Sequence, residues 1–309
     1  MSEGCIVPRD ASAAVPEPAE DYVGISPRRL AVRRALRNAS FWIGGTALLA
    51  IVIVGLFAPW LTPYDPTAQH LGARLIVPVW QAGGSWAHPL GTDLLGRDYL
   101  ARLLFGARIS LLIGFSTILI SGFVGTCLGM AAGYWGGWVD LLVNFILTIR
   151  LTLPVVLVAL VVVAVIGNSL TLLIVVIGGL LWDRFTIVTR SATQQLARTE
   201  FVVAAYCIGS SRARLFLREI LPNLTGQLIV VASIELAHAI LLEASLSFLG
   251  LGVQPPLSSW GLMVSEAKSQ IFFMPWLIAI PGAALVVLIL AINLLGDALR
   301  DILTPEGRA

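Results

Sequence analysis

Residues 41–61 read Phe-Trp-Ile-Gly-Gly-Thr-Ala-Leu-Leu-Ala-Ile-Val-Ile-Val-Gly-Leu-Phe-Ala-Pro-Trp-Leu, a run with no charged residue. A helix of that length, rising about 1.5 Å per residue, reaches across about 30 Å of hydrocarbon. Pro63, Asp65 and Pro66 follow at once and stop it. The same texture recurs at 109–134, at 139–166 with Pro154 as a kink, at 170–188, at 227–249 and at 276–295. Gly167-Asn168-Ser169 turns the third run into the fourth. The spacing therefore predicts an all-α integral membrane protein with six transmembrane helices.

Composition agrees. The 309 residues are 57% hydrophobic and 12% charged, with a mean hydropathy of +0.88. A soluble domain carries about 25% charged residues. A net charge of +2, with basic residues scattered between apolar runs, gives no reason to expect nucleic acid. Every basic residue but Lys268 is Arg, and Lys268 follows Ala267. The Gly-Lys-Ser/Thr of a phosphate-binding P-loop is therefore missing, and any ATP chemistry belongs to another polypeptide. Cys5, Cys127 and Cys207 show no metal-ligand spacing, so neither a disulfide framework nor a metal site is expected. No HExxH, GxSxG or Cys/His cluster appears, so no enzyme is expected. Residues 1–27, with acids at Glu3, Asp10, Glu17, Glu20 and Asp21, read as a disordered tail and not as a signal peptide.

Arginine distribution sets the orientation. With the N-terminus inside, the inner side receives Arg9, Arg28, Arg29, Arg33, Arg34, Arg37, Arg190, Arg198, Arg212, Arg214, Arg218, Arg300 and Arg308. The outer side receives Arg74, Arg97, Arg102, Arg108 and Lys268. The positive-inside rule then puts both termini and the 190–226 loop in the cytoplasm, with 62–108 and 250–275 outside.

Within the apolar runs, Gly125, Gly129 and Gly133 form a smooth ridge, suited to a sliding helix contact or to static close packing. Glu235, His238 and Glu243 sit in the fifth run, where ionisable groups line a pore, relay protons or pair structurally. Glu235 and His238 are one helical turn apart and within reach of a hydrogen bond. Arg150, Asp183 and Arg184 fall near the ends of the third and fourth runs, with the adjacent Asp183 and Arg184 on different helix faces. Trp135, Trp138, Trp182, Trp260 and Trp276 sit near run ends and read as interface anchors.

The loop between the fourth and fifth runs reads Thr199-Glu-Phe-Val-Val-Ala-Ala-Tyr-Cys-Ile-Gly-Ser-Ser-Arg-Ala-Arg-Leu-Phe-Leu-Arg-Glu-Ile-Leu-Pro-Asn223. Two short helices broken at Gly209 are expected, with Phe201, Ala204, Ala205 and Ile208 on one face of the first. Ser210 or Ser211 caps the second, and Pro222 ends it. Such a pair suits a partner's groove, or lies flat on lipid headgroups.

Ala204-Ala205, then Gly209, then Leu221-Pro222 resemble the EAA loop of binding-protein-dependent ABC importer permeases. The family's usual Glu before Ala-Ala is Val203 here, with Glu200 and Glu219 as nearby acids. His88-Pro-Leu-Gly-Thr-Asp with Gly96-Arg-Asp and Gly106-Ala-Arg-Ile-Ser resembles the dipeptide/oligopeptide/nickel branch. So do Glu243-Ala-Ser-Leu-Ser-Phe-Leu-Gly-Leu-Gly-Val-Gln-Pro-Pro256, Ser259-Trp-Gly and Asn293-Leu-Leu-Gly-Asp297. Phe145 and Thr148 stand where that branch commonly has Arg and Asp.

The resemblance implies a type I ABC importer permease fold, with a cytoplasmic tail at 1–38, a first transmembrane helix at 39–61 and an external segment at 62–106. It further implies a core at 107–297 holding the coupling loop 199–223, and a cytoplasmic tail at 298–309. Implied partners are a second homologous permease, two ATPase subunits that hold ATP and Mg, an extracytoplasmic binding protein and membrane lipid. The chain itself would carry no cofactor and would sit in the bacterial inner membrane. Coupling would rest on Glu200, Val203, Ala204, Ala205, Gly209, Leu221 and Pro222. Segments 62–108 and 250–268 would meet the binding protein. Cargo would be di- or oligopeptides, or alternatively nickel, glutathione or another small solute. A stand-alone ion-coupled transporter using Glu235, His238 and Glu243 is the remote rival.

Overall fold

A computed structural model of the chain describes residues 27–167 and 169–303, and every regular element among them is helical. α1 (Pro27–Arg37) meets α2 (Ala39–Leu61) at Asn38, whose side chain accepts from the Phe41 amide at 3.1 Å and caps α2. There follow α3 (Tyr99–Trp135), α4 (Gly137–Thr152), α5 (Val155–Ile166), α6 (Leu170–Leu180), α7 (Asp183–Leu196) and α8 (Glu200–Cys207). The last three are α9 (Arg212–Phe248), α10 (Trp260–Ala267) and α11 (Trp276–Leu303). Five stretches are long and apolar enough to span a membrane: α2, α3, α6 with α7, α9 and α11. The pair α4 and α5, bent by 87°, makes a sixth when counted as one broken span.

Several boundaries depart from the hydropathy reading, each for a local reason. The second span begins at Tyr99, inside the segment read as external, because Asp98 caps it by accepting from the Ala101 amide at 2.7 Å. Arg102 and Arg108 thus ride on the spanning helix. The kink expected at Pro154 is a full break: Leu153 is extended, as the residue before proline prefers. The fourth span pauses at Leu181 and Trp182, then continues to Leu196, beyond the expected end. The sixth continues to Leu303 through part of the predicted tail. The tail at 1–27 lies outside the described residues but for Pro27, as do Asn168 and 304–309.

Helix α3 is the hub, packed on α2, α6, α7 and α9, while α11 closes against α2 and α9. The glycine ridge explains the α3–α7 contact. A Cβ on Gly129 would stand 2.7 Å from Thr186 O, and one on Gly133 would stand 2.6 Å from Arg190 O. Thr186 Oγ1 also donates to Gly125 O at 3.1 Å. The two backbones touch, so the ridge is a site of close packing. Leu56, Trp60, Leu119, Phe123 and Val165 point outward, an apolar coat that matches lipid and would be a liability in water. Of the tryptophans read as interface anchors, Trp182, Trp260 and Trp276 are instead buried in the bundle, and Trp260 donates to Leu103 O at 2.8 Å.

Candidate functional site

The connection between α7 and α9 forms a short arm at one end of the bundle. Val202 is its anchor, buried with Ala192, Leu215, Ile220 and Leu224. Tyr134 and Trp135 from the end of α3 pack on Phe216 at 4.9 and 5.5 Å between ring centroids. The opposite face of α8 is bare: Phe201, Val203, Ala204 and Ile208 are exposed, Ile208 at 85%. Gly209 holds φ at +86° and turns the chain, while the Ser210 amide reaches back to Ala205 O at 3.1 Å. That bond closes α8 in the manner of a Schellman cap, which asks for glycine at this position. Ser211 then caps α9 by accepting from the Arg214 amide at 3.4 Å.

Pro222 does not end this helix; α9 runs unbroken from Arg212 to Phe248. Proline lacks an amide and crowds the carbonyl four residues back. The chain answers with a π-helical turn at Leu215–Ile220, in which the Leu221 amide reaches Phe216 O. Leu221 and Pro222 therefore lie within a single rod that carries the arm at one end and Glu235, His238 and Glu243 further along.

Glu235 and His238 come together as their spacing suggested. His238 Nδ1 lies 3.4 Å from Glu235 Oε1. A closer partner comes from α7: Arg184 Nε stands 3.1 Å from the same oxygen. Next to them Arg150 Nε donates to Leu180 O at 2.7 Å, satisfying a carbonyl freed by the α6–α7 break, and Arg150 Nη2 meets Asp183 Oδ1 at 3.5 Å. These groups line a cavity of about 330 Å³ between α4, α5, α7 and α9. Asp183 and Arg184 do face different partners, as adjacent helical residues must. Glu243 is not among the lining residues. It is fully buried, and its Oε1 accepts from Ser247 Oγ at 2.7 Å and Ser259 Oγ at 2.8 Å. Since Ser259 also caps α10, Glu243 fastens α10 to α9.

The far end of the bundle holds a charge cluster that sequence reading did not assemble. Asp93 Oδ2 takes Arg97 Nε and Arg102 Nη1, each at 2.6 Å. Both arginines also reach Glu266 on α10, at 2.9 and 2.7 Å. His88 Nδ1 lies 2.8 Å from Asp98 Oδ2. The two segments read as external, 62–108 and 250–268, are thus joined into one surface.

Burial by itself would raise the Asp93 pKa, but Arg102, the Arg97 amide and charge, and the Leu95 amide hold it below 3.8. The stabilisation from Asp93 is therefore complete above that value and is lost as pH falls through the depressed one. Asp93→Asn should cost about 3–5 kcal/mol, because it strands Arg97 and Arg102 beside a single carboxylate. Melting of the purified complex should drop in this variant near neutral pH, with the gap to wild type closing in strong acid. An equal gap at all pH values would contradict this account.

A family model for the "binding-protein-dependent transport system inner membrane component" matches residues 125–308. One for the "N-terminal TM domain of oligopeptide transport permease C" matches residues 26–78. The chain is 41% identical to the di/tripeptide transport system permease protein DppC of Pseudomonas aeruginosa, over 84% of this chain and 86% of the relative. It is 35% identical to the dipeptide transport system permease protein DppC of Alkalihalophilus pseudofirmus, over 95% of each. It is 36% identical to the glutathione transport system permease protein GsiD of Pectobacterium atrosepticum, over 91% of this chain and 92% of the relative.

Proposed function

The chain belongs to the binding-protein-dependent transport system inner membrane component family, and on that premise we propose that it is the C-type permease subunit of an ATP-binding-cassette importer for di- and oligopeptides. It is a multi-pass membrane protein of helical fold. In this reading it lies in the bacterial inner membrane with both termini in the cytoplasm. It works with a second homologous permease, two nucleotide-binding ATPase subunits and an extracytoplasmic binding protein. It is not itself an enzyme, since ATP and Mg reside on the ATPases.

One observation carries the coupling: α9 is continuous from the exposed arm to the intramembrane cavity. From Arg212 to Glu235 a helix of this rise covers about 35 Å, leading from the polar arm into the apolar run that starts near residue 227. Closure of the ATPases would push on the tip formed by Ala204, Ala205 and Gly209. Beyond the turn at Gly209, the rod would carry that displacement to Glu235 and His238 with no further break in the helix. Glu200 and Val203 complete the docking face. Val203, exposed where the family's usual loop has an acid, makes that part of the contact apolar. The joined outer segments, held by Asp93, Arg97, Arg102 and Glu266, offer the binding protein a firm surface.

Two other readings meet specific observations. Likeness to the glutathione permease GsiD keeps glutathione as an alternative cargo, with nickel or another small solute behind it. A stand-alone ion-coupled transporter would need Glu235, His238 and Glu243 in one path, and Glu243 is instead spent on Ser247 and Ser259. Uptake of labelled dialanine into proteoliposomes separates the classes. Uptake should require ATP, the ATPases and the binding protein together. Uptake by this chain alone, driven by an ion gradient, would overturn the proposal.

A further inference from the structure

We propose that Arg184, held by Glu235 in the lining of the 330 Å³ cavity, is a station for the free carboxylate of the peptide in transit. This inference rests on the peptide-importer reading above and names a residue on its path. The cavity opens where two spans break, at Pro154 between α4 and α5 and at Leu181–Trp182 between α6 and α7. Broken spans leave unpaired backbone groups, which inside a membrane are tolerated only against protein or a water-filled space. Ionisable groups there cost free energy and mark substrate paths.

The charges around the cavity are not equivalent. Arg150 is occupied by Leu180 O and Asp183 and serves as a staple. Glu235 has a side chain only 2% exposed and offers the cavity little. Arg184 and His238 are the open groups, with side chains 49% and 42% exposed. Arg184 meets Glu235 through Nε, and among the described residues it has no other ion-pair partner. A guanidinium fork has further N–H donors in the geometry a carboxylate accepts. Glu235 acts as the positioning group: it fixes the fork through Nε and offsets its charge, so an arriving carboxylate takes the remaining N–H donors of a part-neutralised cation and can leave again. Conduction needs such a site, favourable enough to enter and weak enough to exit. The volume sits at the lower end of the range for small-molecule pockets, about 300–1,000 Å³.

The test uses the whole transporter in proteoliposomes, with binding protein loaded beforehand to saturation with dialanine or its C-terminal amide. Arg184→Gln by itself would leave the buried Glu235 carboxylate with only His238, at 3.4 Å, beside it. The deciding variant is therefore the double neutral form, Arg184→Gln with Glu235→Gln. Wild type should move more free acid than amide per ATP hydrolysed, by about tenfold, the size of one charge-assisted hydrogen bond. The double variant should lose that ratio by slowing only the acid, and Arg184→Lys should keep part of it. An unchanged ratio, or equal slowing of both cargoes, would overturn the proposal. So would failure of the double variant to co-purify with the second permease, which would make Arg184 an interface cation. Absence of ATP-driven uptake of either cargo by wild type would sink the importer reading itself.

Discussion

Gly209→Pro should abolish ATP-driven uptake while leaving the permease inserted and able to pair with a second permease. The backbone at Gly209 has φ near +86°, and proline is locked near −65°. The turn cannot form, so the Ser210 amide loses Ala205 O and the tip of α8 comes apart. A misfit of this kind costs about 3 kcal/mol or more, which is about a hundredfold in any step that needs the intact tip. Nothing packs within 4 Å of a Cβ placed there, so the injury is confined to the turn. Gly209→Ala should therefore be milder, at about 1–2 kcal/mol for a left-handed residue. Uptake and co-purification with the ATPases should be measured side by side. Normal transport by Gly209→Pro would remove the arm from the coupling route.

Gly129→Leu should remove the folded permease from the membrane fraction. The atoms that meet its Cβ are Thr186 O and Thr189 Cβ, both at 2.7 Å, and the Arg190 amide nitrogen at 3.0 Å. Two of the three are backbone, so no side-chain rotation relieves the clash and α7 must move away from α3. Overpacking a core costs about 1–3 kcal/mol where side chains can adjust, and this site lacks that freedom. Because α7 leads directly into the arm, its displacement would also misplace the docking face. The monodisperse yield in detergent reads the outcome. Gly179→Ala is the control, since no atom lies within 4 Å of its Cβ. Wild-type yield and melting for Gly129→Leu would contradict the packing account.

The spans were legible because lipid imposes long uncharged runs, and the run at 41–61 shows this most plainly. Their ends were less so, because the capping groups lie outside the apolar window: Asp98 starts α3 from within a polar segment. Pro222 misled for a different reason. Proline inside a helix is a sound stop signal, and only the π turn before it lets the helix pass. The broken arm with Gly209 at its bend could be read from the residues, while its continuity with the fifth span could not. Trp260 and Trp276 looked like interface anchors because position along the chain says nothing about which side a ring faces.

The polar sites divide similarly. Spacing joined Glu235 to His238, but the nearer partner, Arg184, comes from another helix and required the fold. Glu243 was grouped with them by proximity in sequence and belongs to the α9–α10 joint. The Asp93 cluster did leave a local trace, since Asp93 and Arg97, which pair, are four residues apart. Glu266, which completes it, is far along the chain.

Cys207 gives the most direct test of the claim that the exposed face of α8 docks on the ATPase. It is a free, exposed thiol on the arm beside Ile208, and Cys127 is the other free thiol among the described residues. In a background with Cys5→Ser and Cys127→Ser, a membrane-impermeant maleimide is applied to inside-out vesicles holding the permease pair with and without the ATPases. Cys207 should react readily in the permease pair alone and be protected once the ATPases bind. An unchanged labelling rate, or labelling only from the opposite side of the membrane, would contradict it.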